Sequence, residues 1–407
     1  MTSTVSSTYF PPTNQDWERR SAAQLGVDAA KLQAAVQFAE TNEINWSVDI
    51  SQQNIGEDAP ELSARLGQFK PRGGPAGIVL KSGYVIAEWG DLDRVDLTYS
   101  ATKSYVATMA GLAFDRGLIK SVDDRVCEYE RDVSIEYTPA AVEAIGRLAR
   151  EGGQNAQLNM AGAGVGVDRL DSAHNAQITW RHLLQLTSEW EGWLFGKPDT
   201  VDWNRGGFDI DAVRDQRKAS GTHWEYNDVR VNRTALAVLS TWGEALPGVL
   251  KREVMDPLGA SDLWEWHGYD EYSTVLLNGK EVESVSGGAH WGGGMWINTY
   301  DHARFGLLFL NRGEWNGKRI ISDEWVQMMT EPCLQNSSYG FMWWLNTGHE
   351  RYGATASERT FAAMGAGGNS VVCDPERDLV VVTRWCEDVA GVVDRVAQAV
   401  GRGMAIT

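Results

Sequence analysis

The stretch Thr98-Tyr99-Ser100-Ala101-Thr102-Lys103-Ser104-Tyr105, continuing into Val106-Ala107-Thr108-Met109-Ala110-Gly111-Leu112-Ala113-Phe114, decides how this chain is read. After Ser100 the apolar residues Val106, Met109, Ala110, Ala113 and Phe114 recur at helical spacing, and Gly117 marks a stop. The spacing therefore predicts a helix that starts at or near Ser100, with Lys103 one turn on and facing the same way. A lysine amine within reach of a serine hydroxyl can take its proton. The N–H groups at the helix start favour the negative charge that then develops. A serine N-cap followed by a solvated lysine is the ordinary reading of such a tetrad. Here it is the only Ser-x-x-Lys among ten lysines, and its lysine is embedded in an apolar helix, where a charge is costly without a task.

Working outward, 407 residues suffice for two or three lobes or one large domain. Eighteen tryptophans are more than a core alone needs and suit an aromatic-walled cleft. The net charge of −18, with 55 acidic against 37 basic residues and no basic run, makes nucleic acid and anionic membrane poor partners. The N-terminal residues lack the basic and apolar regions of a signal peptide, and no apolar run approaches the roughly 20 residues of a membrane span. Cys127, Cys333, Cys373 and Cys386 are scattered without a Cys-x-x-Cys, which signals neither a zinc site nor a disulfide framework. A cytoplasmic location is expected.

In chain order, residues 1–22 read as a surface arm and Ala23 to Glu40 as a helix, followed by a polar loop over 48–74. A hairpin is predicted from Ala76–Leu80 and Tyr84–Trp89 around the turn Lys81-Ser82-Gly83. Residues 128–175 read as a surface insertion, helical over Ala140 to Arg150 and Gly/Asn-rich from Glu151 to Gly166. Helical pattern returns over Ile178 to Trp190 and again after Asp228. Gly292-Gly293-Gly294-Met295 reads as the lead into a helix over Asp301 to Asn311. Strands are predicted at Asn369–Cys373 and Leu379–Trp385, then a helix from Val392 to Met404. Strands thus bracket a largely helical middle. The expected fold is α+β: an antiparallel sheet flanked by helices and built from both chain ends (23–98 and 287–407), with a mainly helical lobe (99–286) inserted.

With these residues in hand, the chain resembles the serine β-lactamase-like superfamily, in the branch of class C β-lactamases, family VIII esterases and 6-aminohexanoate-dimer hydrolases. The resemblance rests on Ser100-Ala101-Thr102-Lys103, Leu183-Leu184-Gln185-Leu186-Thr187-Ser188, Trp224-Glu225-Tyr226-Asn227-Asp228, Gly292-Gly293-Gly294-Met295, Ala303-Arg304-Phe305-Gly306-Leu307-Leu308 and Tyr339-Gly340-Phe341, in that order. It implies Ser100 as nucleophile, Lys103 as general base and Tyr226 as the phenol that passes protons to the leaving group. The backbone N–H groups of Ser100 and Ala366 would form the oxyanion hole. Two departures stand out. Asp228 replaces the usual asparagine, and Ala363 stands where the family's Lys-Thr-Gly or His-Thr-Gly has its basic residue. A carboxylate at 228 facing the cleft would disfavour acidic substrates.

Substrate contacts are expected from Asp228, from the aromatic residues Trp190, Trp193, His290 and Trp291, and from Gly365 and Gly367 in the Gly-rich turn, where backbone can approach a ligand closely. Together these predict a serine hydrolase acting on an ester or amide of a small molecule through an acyl-enzyme, with no metal or organic cofactor. A homodimer is compatible with the sequence. The alternatives are a β-lactamase or DD-peptidase, and a catalytically silent binding or sensor protein on the same fold.

Overall fold

The computed structural model describes residues 8–13, 17–53, 64–151, 167, 169–202 and 216–401. The elements that frame the site are α1 (Ala29–Glu40), β1 (Ala76–Lys81), β2 (Tyr84–Trp89), β3 (Asp96–Leu97), α2 (Thr102–Asp115), α3 (Asp228–Trp242) and β4 (Glu265–His267). They continue with β5 (Gly294–Ile297), α4 (Thr299–Leu310), β6 (Trp344–Leu345), β7 (Phe361–Gly365), β8 (Asn369–Asp374), β9 (Leu379–Arg384) and α5 (Val389–Val400). The main sheet has the order β6-β7-β8-β9-β1-β2, with every neighbouring pair antiparallel. Its centre joins the two ends of the chain: Ile78 of β1 pairs with Val382 of β9.

Alternation along these strands sorts their side chains onto two faces. Val79, Ala362, Val372 and Val381 pack with Ala35 and Ala39 of α1 and with Val392 and Val396 of α5. Ile78, Leu80, Val380 and Val382 point the other way, into the core that holds Tyr105 and Met109 of α2 and Phe305 and Leu308 of α4. Each such side chain taken from water adds about 1.5–3 kcal/mol, so the sheet is held on both faces. Helix α2 is buried from Thr102 through Ala113, not along one stripe, because it lies between this sheet and the helical lobe. Its Gly111 has no room for a side chain: a Cβ there would fall 2.4 Å from Nε1 of Trp325.

Several expectations change. The 178–190 segment is helical only over Trp180–Leu184, since Leu186 and Glu189 adopt φ of 57° and 51°, outside helical space. Gly294 opens strand β5, not a helix, and pairs with His267 of β4, while Trp296 pairs with Leu97 of β3. Ala363 and Gly365 belong to strand β7, so the Gly-rich turn shrinks to Ala366–Gly368. Most of the Gly/Asn-rich part of the insertion, residues 54–63 of the polar loop, and Met404 lie outside the described residues. The four cysteines are free thiols. No helix among the described residues is long and apolar enough to cross a membrane.

Candidate active site

Ser100 stands in a short 3-10 turn, Tyr99–Ala101, between β3 and α2. The turn is strained: Tyr99 has φ 47°, a left-handed conformation that costs a bulky residue about 1–3 kcal/mol. Packing compensates. The Tyr99 ring is buried edge-on against Trp46 (5.9 Å) and Trp385 (6.3 Å). Thr102 Oγ1 donates to the Tyr99 carbonyl at 2.6 Å and accepts from the Met295 N–H at 3.0 Å, which ties the turn to β5. On one side Gly288 offers its carbonyl 3.3 Å from Ser100 Oγ. On the other the end of β7 presses in: a Cβ on Gly365 would lie 2.0 Å from the Thr98 carbonyl and 3.1 Å from the Ser100 nitrogen.

Lys103 is buried, and its Nζ lies 2.8 Å from Ser100 Oγ and 2.7 Å from Asp228 Oδ1. Asp228 is the first residue of α3, where Asn227 caps the helix by accepting from the Arg230 N–H at 2.9 Å. A carboxylate in a first turn meets the positive end of the helix dipole. Burial pushes the Asp228 carboxyl upward, but the Lys103 ammonium and His290 outweigh it and hold the group well below the usual carboxylate range. His290 Nδ1 stands 3.3 Å from Oδ2. Asp228 is therefore the counterion of Lys103 and not a charge facing the cleft.

Tyr226 completes the group. The Lys103 ammonium lies 4.8 Å from its ring centre, which sets the phenol beside the Ser100–Lys103 pair. Burial raises the phenol's pKa strongly and the nearby Asp228 charge adds to that, so the hydroxyl stays protonated. The ring stacks on Trp344 at 5.9 Å, and Trp224 and Tyr339 close the same aromatic box.

Comparison with known proteins identifies the family and the fold. Residues 93–385 match the Beta-lactamase family. The chain belongs to the beta-lactamase family. An uncharacterised protein of Alkalihalophilus pseudofirmus is 26% identical over 192 residues, 42% of this chain; the match spans only 55% of that relative's length. A penicillin-binding protein homologue from Caulobacter crescentus superposes with a TM-score of 0.51 at 15% identity, covering 80% of this chain and 92% of the other. EstCE1, described as a hydrolase with promiscuous acyltransferase activity, superposes at 0.51 with 16% identity over 91% and 98% of the two chains. These likenesses are of fold.

Within this beta-lactamase-family fold the remaining expected residues separate. Ser100, Lys103, Tyr226, Asp228 and His290 come together, and Gly365 and Ala366 adjoin Ser100. Gly367 is buried, with φ 75° and Trp385 against it, so it shapes the turn and does not line the cleft. Trp190 and Trp291 are 0% exposed and Trp193 is 7% exposed; Trp190 and Trp291 are part of the core, so the expected aromatic wall lies elsewhere. Trp224 and Trp344, both half-exposed, make it instead, with Tyr339 buried behind them. The motif residues Trp224 and Tyr339 carried a signal for this; Trp344 carried none. Gly288, Asp202 (which accepts from the Asp228 N–H at 2.6 Å) and Arg351 were likewise missed, because only the folded chain brings them near Ser100.

Proposed function

We propose that this protein is a serine hydrolase that cleaves an ester or amide of a small molecule through an acyl-enzyme on Ser100. The observation that carries the reading is Nζ of Lys103, poised between Ser100 Oγ at 2.8 Å and Asp228 Oδ1 at 2.7 Å. As Oγ bonds to the substrate carbonyl carbon, its proton enters at Nζ, and Nζ gives one of its own to the Asp228 carboxylate. The carbonyl electron pair moves onto oxygen, where the N–H groups of Ser100 and Ala366 would receive the charge. Tyr226, a protonated phenol beside Ser100, gives its proton to the leaving group and recovers one from Asp228 by way of Nζ, which restores both groups. Water then attacks the acyl carbon, and Ser100 departs with its proton restored.

The test is labelling with a fluorophosphonate followed by peptide mass spectrometry. One adduct is expected, on the peptide containing Ser100, and none in Ser100→Ala. An unlabelled wild type would favour a binding or sensor protein. A β-lactamase would instead reveal itself by nitrocefin turnover exceeding that of simple esters; the buried Ala363 in place of a basic residue argues against it.

A further inference from the structure

Most of β7 is buried, yet Met364, Gly365 and Ala366 at its end are half-exposed, as are Ser100, Tyr226, Trp344 and Arg351 in otherwise buried surroundings. One cation lies along this half-exposed strip, at the edge of the sheet beside the Ser100 turn. The Arg351 guanidinium lies 3.9 Å from the centre of the Trp344 ring, and Trp344 in turn stacks on Tyr226. Its Nη1 touches the Met364 sulfur at 3.8 Å, one residue before the point where β7 meets the Ser100 turn. The Arg351 N–H is anchored on Asn346 Oδ1 at 3.1 Å, which fixes the loop that carries it.

Arg351 has no carboxylate within ion-pair distance among the described residues, and its Nε is buried without a hydrogen-bond partner. The neighbouring Glu350, whose carboxylate accepts from Ser338 Oγ at 3.0 Å, acts on the guanidinium only through its charge and makes no ion pair with it. Burial lowers the guanidinium's pKa from its ordinary value, although it stays charged at any working pH. In a protein of net charge −18, a half-buried guanidinium with no carboxylate in ion-pair contact is unusual. A flat guanidinium on an aromatic face, half-exposed at the edge of the site, has the shape and charge to pair with a carboxylate.

We infer that Arg351 is a specificity residue that binds a carboxylate on the substrate, so that the preferred esters or amides are those whose acyl chain ends in an acid. This rests on the serine-hydrolase reading of Ser100. Arg351 thereby supplies, from the loop between β6 and β7, the positive charge absent at Ala363. Lys103 neutralises Asp228, and the carboxylate beside it, Asp202, is held on the Asp228 N–H.

The experiment compares kcat/KM for p-nitrophenyl butyrate and mono-p-nitrophenyl glutarate in wild type, Arg351→Gln and Arg351→Lys. Wild type should prefer the glutarate ester by about ten- to a hundredfold, in keeping with a charge-assisted bidentate pair. In Arg351→Gln that ratio should collapse toward one, and Arg351→Lys should keep part of it. A wild type without the preference, or a Gln variant in which both esters fall equally, overturns the inference, since a structural role would lower both together. A second reading needs no turnover. Monomethyl glutarate should quench tryptophan fluorescence of Ser100→Ala saturably at constant ionic strength, and Arg351→Gln in that background should abolish the effect. Unlabelled Ser100 with Arg351-dependent quenching would reject the hydrolase and keep the anion site. Labelled Ser100 with quenching indifferent to Arg351 would do the reverse.

Discussion

A single buried carboxylate governs the chemistry of the site. Asp228 and Lys103 are 8% and 2% exposed at their side chains, so each charge depends on the other for solvation. Removing one partner strands the other. Asp228→Ala should cost about 3–5 kcal/mol of stability, whereas Asp228→Leu combined with Lys103→Met should recover most of it, because a buried pair and its apolar replacement are often near equal. Urea denaturation of the three proteins decides this; a loss under 1 kcal/mol in the single variant would mean the pair is not truly desolvated. Ser100→Ala should keep the wild-type stability and lose several decades of kcat, in line with the ~10⁶-fold fall seen when a hydrolase nucleophile is removed. Esterase activity that survives purification of this variant would point to another nucleophile.

At the scale of elements, the site is the meeting of three chain segments that arrive end-on: the β3–α2 turn, the start of α3 and the end of β7. Glycine makes the last meeting possible. Gly365 has an ordinary extended backbone, so Gly365→Ala tests space alone and not backbone strain. Its new Cβ would stand 2.0 Å from the Thr98 carbonyl and 3.0 Å from the Ala101 nitrogen, both backbone atoms that cannot swing away. The variant should lose about 1–3 kcal/mol of stability from overpacking. Its kcat should fall by a factor of about 10² because the nucleophile turn shifts against Lys103. A thermal melt and an ester assay on the same preparation check both. Unchanged activity would mean that β7 does not position Ser100.

Across the whole molecule, sheet and turn are stitched together by buried polar groups. Arg384 of β9 donates to the carbonyls of Asp96 (2.8 Å), Leu97 (3.2 Å) and Ile297 (3.0 Å), joining the main sheet to β3 and β5; burial pushes its guanidinium down to about 10. His302 of α4 pairs with Thr98 Oγ1 at 2.8 Å and with the Tyr105 hydroxyl at 3.1 Å. Burial first, and Arg384 second, hold its imidazole far below the usual histidine range. The folded protein therefore keeps His302 neutral while the unfolded chain takes a proton below about pH 6.5, so stability should fall as pH drops through that value and be flat above it. The slope is bounded at about 1.4 kcal/mol per pH unit for one group, with half-buried His182, whose pKa desolvation also lowers, acting in the same direction. Melting temperatures at pH 7.5 and 5.5 should diverge more in wild type than in His302→Gln; equal divergence would assign the acid sensitivity elsewhere.

The sequence by itself determined what periodicity and spacing can carry. The strands at β1, β2, β8 and β9, the helix after Ser100, the helix after Asp228 and the Ser100–Lys103 pair follow from local pattern, since neighbours three or four apart on a helix must share a face, whereas Tyr226 was reached only through the family resemblance. Tertiary structure decided the rest. Helical pattern over 178–190 yielded to the left-handed residues Leu186 and Glu189, and Gly294 became a strand only because β3 and β4 were there to pair with it. Trp190 and Trp344 look alike in sequence, yet one is core and the other cleft wall. The sign of the site's charge was likewise hidden. Asp228 reads as an exposed acid until α3 brings it 2.7 Å from Lys103, and Arg351 reads as surface until the β6–β7 loop lays it over Trp344. Partnership between distant charges depends on distance in space, which no local pattern encodes.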